Sequence, residues 1–353
     1  MSHVATITID HTKVPGDLTD YVGLIVPDGS AGYADLYALC LEGGGDIRLF
    51  KSDDTTELAR EMVLFSVTDE TGEIHYKYSG TLSSSVDTDI HVYADGFSAD
   101  YAVGATYGRN AVWSEYVAVW HKGGGDSSTG SHNTTVVNTT AGGYASPHHG
   151  SATSYNDTGA ISYAAASADF RALDTEGGYQ FWSKIFTLPK TYEYNSYGGM
   201  FGVGNTGNNN NLVLERALGG NNPSMIARST FLEATTPTIN VWDKMTFTWD
   251  ASNITCYKNG VQDVTSASGV VVTSGGEFTL GAKASNETST FLQGALWEFR
   301  LPKFLITNNW DETEYNNQNS YSTFYSVAAV VAGGGGFTPT PLIHQMQMAG
   351  GGV

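Results

Sequence analysis

Val241-Trp242-Asp243-Lys244-Met245-Thr246-Phe247-Thr248-Trp249 sets Met245, Phe247 and Trp249 against Lys244, Thr246 and Thr248. Alternation with period 2 sends the two sets to opposite faces of a strand, one toward a core and one toward solvent. Downstream, Lys258-Asn259-Gly260-Val261 supplies the Asn-Gly pair of a tight type I′ hairpin turn. A half-buried strand followed by a hairpin means antiparallel sheet, and the same signal spreads outward from here. Residues 160–164, 179–188, 212–217, 225–230, 254–258, 270–273, 278–281 and 295–301 all read as short strands. The second half of the chain is therefore expected to form a large antiparallel sandwich with little helix.

The first half carries the same signature in shorter pieces. Residues 4–9, 22–26, 36–41, 46–50, 62–67, 73–78 and 89–93 are β-like. Ile74-His75-Tyr76-Lys77-Tyr78 and Ile90-His91-Val92-Tyr93 show apolar residues with period 2. Pro27-Asp28-Gly29-Ser30, Gly43-Gly44-Gly45-Asp46 and Asp69-Glu70-Thr71-Gly72 provide turns. Only residues 56–63 offer a helical alternative, and eight residues make a poor free-standing helix. The expectation is an all-β chain of two β-sandwich domains, residues 1–110 and 111–320. An extended tail over 321–353 follows them. The tail holds no Asp, Glu, Lys or Arg, contains Gly333 to Gly336, and ends in an alternating Leu342-Ile343-His344-Gln345-Met346-Gln347-Met348 run. An uncharged, partly apolar tail is expected to dock, on its own chain or on a neighbour, with strand addition as one route.

Composition narrows the function. Hydrophobic residues make 41% of the 353 and aromatics 12%, enough for a sizeable core. The formal charge is −19, with 7 basic against 19 acidic residues over 1–125 and 10 against 17 over the rest. Such a field repels polyanions, so a nucleic-acid partner is excluded. No apolar run approaches the ~18 residues of a membrane span. Met1-Ser2-His3-Val4-Ala5 has no basic start before an apolar stretch, so no signal peptide is expected. Cys40 and Cys256 lie far apart and read as buried thiols.

Candidates for chemistry are few. Glu312 and Glu314, in Trp310-Asp311-Glu312-Thr313-Glu314, would share a face if extended, as a glycosidase pair requires. Asn308, Asn309, Asn316 and Asn317 flank them, and the segment reads instead as a solvated connection. His148-His149 reads as an exposed loop pair, and the other histidines (3, 11, 75, 91, 121, 132 and 344) are scattered without zinc spacing. Gly-x-Ser-x-Gly is absent. Asp126 in its Gly-rich loop, and Asp250 beside Asn253, offer oxygen ligands for calcium. All seven tryptophans (113, 120, 182, 242, 249, 297 and 310) fall after residue 110 and read as core filling. Tyr192, Tyr194 and Tyr197 read as surface contacts. No catalytic, cofactor-binding or metal residue is assigned.

Asp17-Leu18-Thr19-Asp20-Tyr21, Gly45-Asp46-Ile47-Arg48-Leu49-Phe50 and Thr88-Asp89-Ile90-His91-Val92-Tyr93-Ala94 resemble the domain of unknown function numbered 2341. So does Val112-Trp113-Ser114-Glu115-Tyr116-Val117-Ala118-Val119-Trp120-His121, followed by Asp126-Ser127-Ser128-Thr129-Gly130 with one Ser more than that family's pattern. The later part resembles a concanavalin A-like jelly roll of the laminin-G type. The matching pieces are Phe181-Trp182-Ser183-Lys184, residues 242–249, Tyr257-Lys258-Asn259-Gly260, Phe278-Thr279-Leu280-Gly281 and Phe291-Leu292-Gln293-Gly294-Ala295-Leu296-Trp297-Glu298-Phe299-Arg300. Glucanases with that jelly roll carry Glu-x-Asp-x-x-Glu or Glu-x-Asp-x-Glu, which this chain lacks, so the resemblance implies no enzyme. It implies a non-enzymatic structural protein on a virion surface, a capsid decoration or tail-associated protein of a phage. On this reading the tail mediates homo-oligomer or virion contacts, and no cofactor is implied. The alternative is a carbohydrate-binding or adhesion module, with a host-surface glycan as partner.

Overall fold

The computed structural model describes residues 1–121, 125–137, 140–145, 151–155, 161–164, 176–186, 197–203, 211–216, 223–227, 230–232, 234–235, 237–267, 278–281, 292 and 294–330. The chain is all-β, with two β-sandwich domains, the second a jelly roll, and a C-terminal extension. The strands of the first domain are β1 (Ser2–Ile9), β2 (Leu18–Ile25), β3 (Arg48–Lys51), β4 (Glu57–Ser66), β5 (Thr71–Leu82) and β6 (Thr88–Ala94). β7 (Tyr116–Trp120) leads into the jelly roll. There follow β8 (Thr135–Val137), β9 (Thr140–Ala145), β10 (Ser151–Tyr155), β11 (Ile161–Ala164), β12 (Gly177–Ile185), β13 (Tyr197–Val203), β14 (Asn211–Arg216), β15 (Pro223–Ala227) and β16 (Thr230–Leu232). β17 (Trp242–Trp249), β18 (Asn253–Lys258), β19 (Val261–Ala267), β20 (Phe278–Leu280) and β21 (Gly294–Pro302) complete it, and β22 (Tyr325–Ala329) returns to the first domain. Helices are α1 (Ala34–Leu39), α2 (Arg109–Val112), α3 (Asn308–Asn319) and α4 (Tyr321–Phe324).

The first sheet runs β2-β5-β4-β3-β6-β1-β22, so the C-terminal strand pairs antiparallel with the N-terminal one, Ala5 opposite Ala329 and Ile9 opposite Tyr325. The start of the expected tail thus docks in cis by strand addition; residues 331–353 lie outside the described residues. The jelly roll has one sheet ordered β19-β18-β17-β12-β21-β10-β9, with β7 also on β21, and another ordered β16-β15-β14-β13-β20-β11-β8. The hairpin expected at Asn259-Gly260 is present, with φ of 54° and 80°, as a type I′ turn requires.

Two local expectations are corrected, and one reading holds. Residues 36–41 are not a strand: they overlap α1, whose Leu36 and Tyr37 pack into the first core. The helical alternative over 56–63 is not taken: β4 covers Glu57–Ser66 and is entered through Asp53, whose carboxylate accepts from the Thr55 and Thr56 amides. The segment around Glu312 and Glu314 is neither extended nor a wet connection. It is the 12-residue α3, capped by Thr307 Oγ1 accepting from the Trp310 amide.

Where the domains meet, strands are buried on both faces. β2 gives Tyr21 and Ile25 to the first core and Val22 and Leu24 to the junction, where Val26, just past its end, joins them. There Leu24 and Val26 pack with Trp182, Ala295 and Trp297, while Val22 packs with Val112, Trp113, Tyr116 and Val119. Gly23 sits under the Tyr76 ring, where a Cβ would lie 2.5 Å from ring atoms. α3 closes the junction from outside. Asn317 accepts from the Leu24 amide at 2.7 Å and donates to the Leu24 carbonyl at 2.8 Å, acting as one residue of an added strand. Removing that amide leaves both buried backbone groups unpaired. Asn317→Ala is therefore expected to cost about 2–3 kcal/mol in urea unfolding. The exposed Asn319→Ala should stay within about 0.5 kcal/mol of the parent.

Candidate functional site at the domain junction

β5 alternates Ile74, Tyr76 and Tyr78 into the first core, so Glu73 and His75 share the opposite face and point at the jelly roll. On β21 a bulge changes the alternation. Glu298 has φ 55°, and the pairing with β12 slips between Gln180 and Trp182. Leu296, Phe299 and Leu301 consequently face the jelly-roll core, while Glu298 and Arg300 join Ala295 and Trp297 on the junction side. His121 follows β7 and Glu61 comes from β4.

These residues form one buried network. His121 Nδ1 donates to Glu298 Oε2 at 2.7 Å and Nε2 donates to Glu61 Oε2 at 2.9 Å, which makes the ring an imidazolium. Glu61 is also held by Ser127 Oγ at 2.6 Å and by the Trp113 indole N–H. The Arg300 guanidinium donates to Glu298 Oε1 at 2.7 Å and to Glu314 Oε1 at 2.6 Å, and its Nη2 donates to His75 Nδ1 at 3.3 Å. The His75 ring proton is thereby placed on Nε2, which donates to Glu73 Oε1 at 3.1 Å. The two imidazoles stack at 4.6 Å. Glu314 continues the network to Lys244, 2.9 Å away, and Lys244 also binds Asp311. The polar face of β17, expected in solvent, is thus buried under α3: Lys244 and Thr246 are at most 1% exposed.

Glu73, His75, His121 and Glu298 place ligand atoms within 4.8 Å of one another, the kind of donor set a divalent cation takes. Their lone pairs already face Arg300 and each other's N–H groups, so the arrangement functions as an ion-pair network. The calcium candidates are likewise committed. Asp126 accepts from the amides of Val119, Ser128 and His132 and from the Ser128 hydroxyl. Asp250 accepts from the Ser252 and Asn253 amides in the turn between β17 and β18. Six of the tryptophans are buried and Trp242 partly so, as core filling requires. Cys40 and Cys256 are buried free thiols. His148, His149, His344, Tyr192 and Tyr194 lie outside the described residues, and Tyr197 opens β13. Among the described residues no helix is long and apolar enough to cross a membrane.

Beside the network a cleft of about 360 Å³ opens between the domains. Val22, Val112, Tyr116, Phe304 and Trp310 line it with apolar and aromatic surface, and Asp20, Lys77 and Glu115 supply charge. Trp310 stands edge-on to Phe304 at 4.8 Å, and its indole N–H has no acceptor among the described residues. Sequence reading missed this cleft because its walls come from residues 19–22, 77, 112–116 and 304–310, which only the docked domains bring together.

A family model for the concanavalin A-like lectin/glucanases superfamily matches residues 157–310. A search of the curated proteins finds no match. Among solved structures, the chain is similar to the Trypanosoma rangeli sialidase at 12% identity and TM-score 0.43, covering 57% of this chain and 31% of that one. It is also similar to the binding domain of botulinum neurotoxin serotype D at 14% identity and TM-score 0.43, covering 58% and 52%. The aligned part thus spans only about a third to a half of those chains.

The network's protonation makes stability depend on pH. Burial alone would lower the His121 pKa, but Glu298 and Glu61 outweigh it and hold it well above 6.5. For His75 burial wins, aided by the charges of His121 and Arg300, and its pKa falls well below 6.5. Burial and the adjacent Glu298 push Glu73 from 4.5 up to about 8. Burial would raise Glu298 as well, but His121 and Arg300 bring it well below 4.5. As pH rises toward 4.5, the unfolded chain binds protons that folded Glu298 and His75 refuse, so stability climbs. Between 4.5 and 6.5, His75 still raises stability while Glu73, protonated only in the fold, lowers it equally. Above 6.5 the His75 gain is complete, and both Glu73 and His121 lower stability. Each proton is worth about 1.4 kcal/mol per pH unit. These four groups therefore predict a stability plateau over about pH 4.5–6.5 and a fall of about 2 kcal/mol per unit from pH 7 to 8 in urea unfolding. Glu73→Gln should move the maximum up to about pH 6.5. A maximum above pH 7 in the parent would contradict the assignment.

Proposed function

We propose that the chain is a non-catalytic carbohydrate-binding or adhesion module, and that the junction cleft is its glycan site. The observation that carries this reading is the cleft's lining. Phe304, backed by the buried Tyr116 and Trp310 rings, offers aromatic surface for the C–H face of a sugar ring, and Asp20, Glu115 and Lys77 offer partners for its hydroxyls. Its volume lies at the lower end of small-ligand sites, the size for a terminal saccharide rather than a long chain. The match of residues 157–310 to a lectin/glucanase family model supports the same class. Non-catalytic action is supported by the state of the carboxylates. Glu61, Glu298 and Glu314 are committed to internal donors, and Asp20 faces Lys77 at 3.7 Å. On a glycan array the full chain should retain at least one glycan class and release it uncleaved. Phe304→Ala and Glu115→Gln should each weaken that binding about tenfold, a loss of about 1.4 kcal/mol. Cleavage of the retained glycan, or binding indifferent to both substitutions, would sink this reading.

A second reading concerns where such a module sits. Residues 1–110 then represent the domain of unknown function numbered 2341, and the chain is a virion surface protein held in an oligomer by its uncharged C-terminal segment. It is favoured by β22, which lies at the edge of the first sheet and hands the chain directly to that segment. Light scattering should then show an oligomer for the full chain and a monomer for a chain ending at Gly333. Two monomers would remove the support.

A further inference from the structure

Lys244 carries its ammonium on the face of β17 that α3 covers, with about 1% of the side chain exposed. Its N–H groups reach Thr246 Oγ1 at 3.1 Å, Glu314 Oε2 at 2.9 Å and Asp311 Oδ1. Asp311 is equally dry. Its Oδ1 takes both Lys244 and the Thr246 hydroxyl, but its Oδ2 is buried with no donor among the described residues. A carboxylate oxygen withdrawn from water and given no donor carries its desolvation cost uncompensated. Glu314 is placed differently: Arg300 at 2.6 Å and the Gln180 amide hold it beside Lys244.

We propose that Lys244 and Asp311 condense to an intramolecular isopeptide bond, with Glu314 as the proton carrier. Glu314 Oε2 takes one proton from Nζ, and the freed amine pair attacks Asp311 Cγ to form the N–C bond. The C–Oδ2 bond then breaks, and Oδ2 leaves as water with the proton returned by Glu314 and a second proton from Nζ. One ammonium and one carboxylate are consumed, one amide and one water are formed, and no oxidant or other reagent is needed. The hydrogen bonds close around the product. The remaining N–H faces Glu314 Oε2, the former Oδ1 keeps the Thr246 hydroxyl, Glu314 keeps Arg300, and the orphaned oxygen is gone. Two buried charges disappear with it. Contact in a dry site supplies the proximity such a condensation requires. The bond joins residues 67 apart, tying the jelly-roll sheet to the helix that clasps Leu24 of the first domain.

Intact-mass measurement of the full chain, folded and then denatured, tests this directly. The expected mass is about 18 Da, one water, below that of the sequence. After trypsin, Lys244 should resist cleavage, leaving residues 229–258 whole and joined to the peptide that starts at Phe304. Glu314→Gln, which removes the proton carrier, should return the mass to its full value. A wild-type chain at full mass overturns the proposal. So does a loss of water that maps inside a single peptide, the mark of a cyclised Asp-Gly such as Asp28-Gly29 or Asp95-Gly96.

Discussion

A guanidinium removed from water must be met by carboxylates on every side that counts, and Arg300 imposes that demand on the whole junction. Its two partners belong to different elements. Glu298 stands two residues before it on the same strand and so shares its face, and Glu314 comes from the helix that follows. Glu298 then fixes His121 and, through it, Glu61 of the first domain, while Glu314 fixes Lys244 on β17, two strands away in the sheet. Apolar packing of Leu24, Val26, Trp182 and Trp297 brings the domains together without choosing a register. The charges choose it, because a slip of one residue would strand ions in a dry interior.

How much of this was legible in the sequence depends on which face of a strand is asked about. Period-2 runs gave most of the strands, the Asn259-Gly260 turn and the burial of the tryptophans, since these depend on near neighbours in sequence. The second face depends on what lands upon it. Lys244, Thr246 and Thr248 look solvent-facing beside Met245, Phe247 and Trp249, and only α3 turns that polar face into an interior. α3 itself escaped because its buried side is polar: Asp311, Glu314, Asn317 and Gln318 point inward with Trp310. A helix of that kind has no apolar stripe to find. Its Thr307 cap was the one local sign available. Glu298 was hidden for another reason, since a bulge breaks the alternation by which faces are counted.

The same dependence on docking produces the cleft. Val22 and Lys77 come from the first domain, Val112 and Tyr116 from the segment entering the jelly roll, and Phe304 and Trp310 from the segment leaving it. No domain taken alone has this concavity. Anything that loosens the ion network therefore acts on the shape of the cleft without touching its lining.

The pairing of β1 with β22 also decides how the molecule carries load. Ser2 and Ala329 lie at the same end of that antiparallel pair, so tension applied through the flanking chain at that end peels its rungs one after another instead of shearing them together. The jelly roll, lying between these strands in sequence, is bypassed by the pull until five residue pairs have parted. The mechanical fuse of this protein is therefore the short strand at the sheet edge, and the junction behind it stays unloaded while that fuse holds.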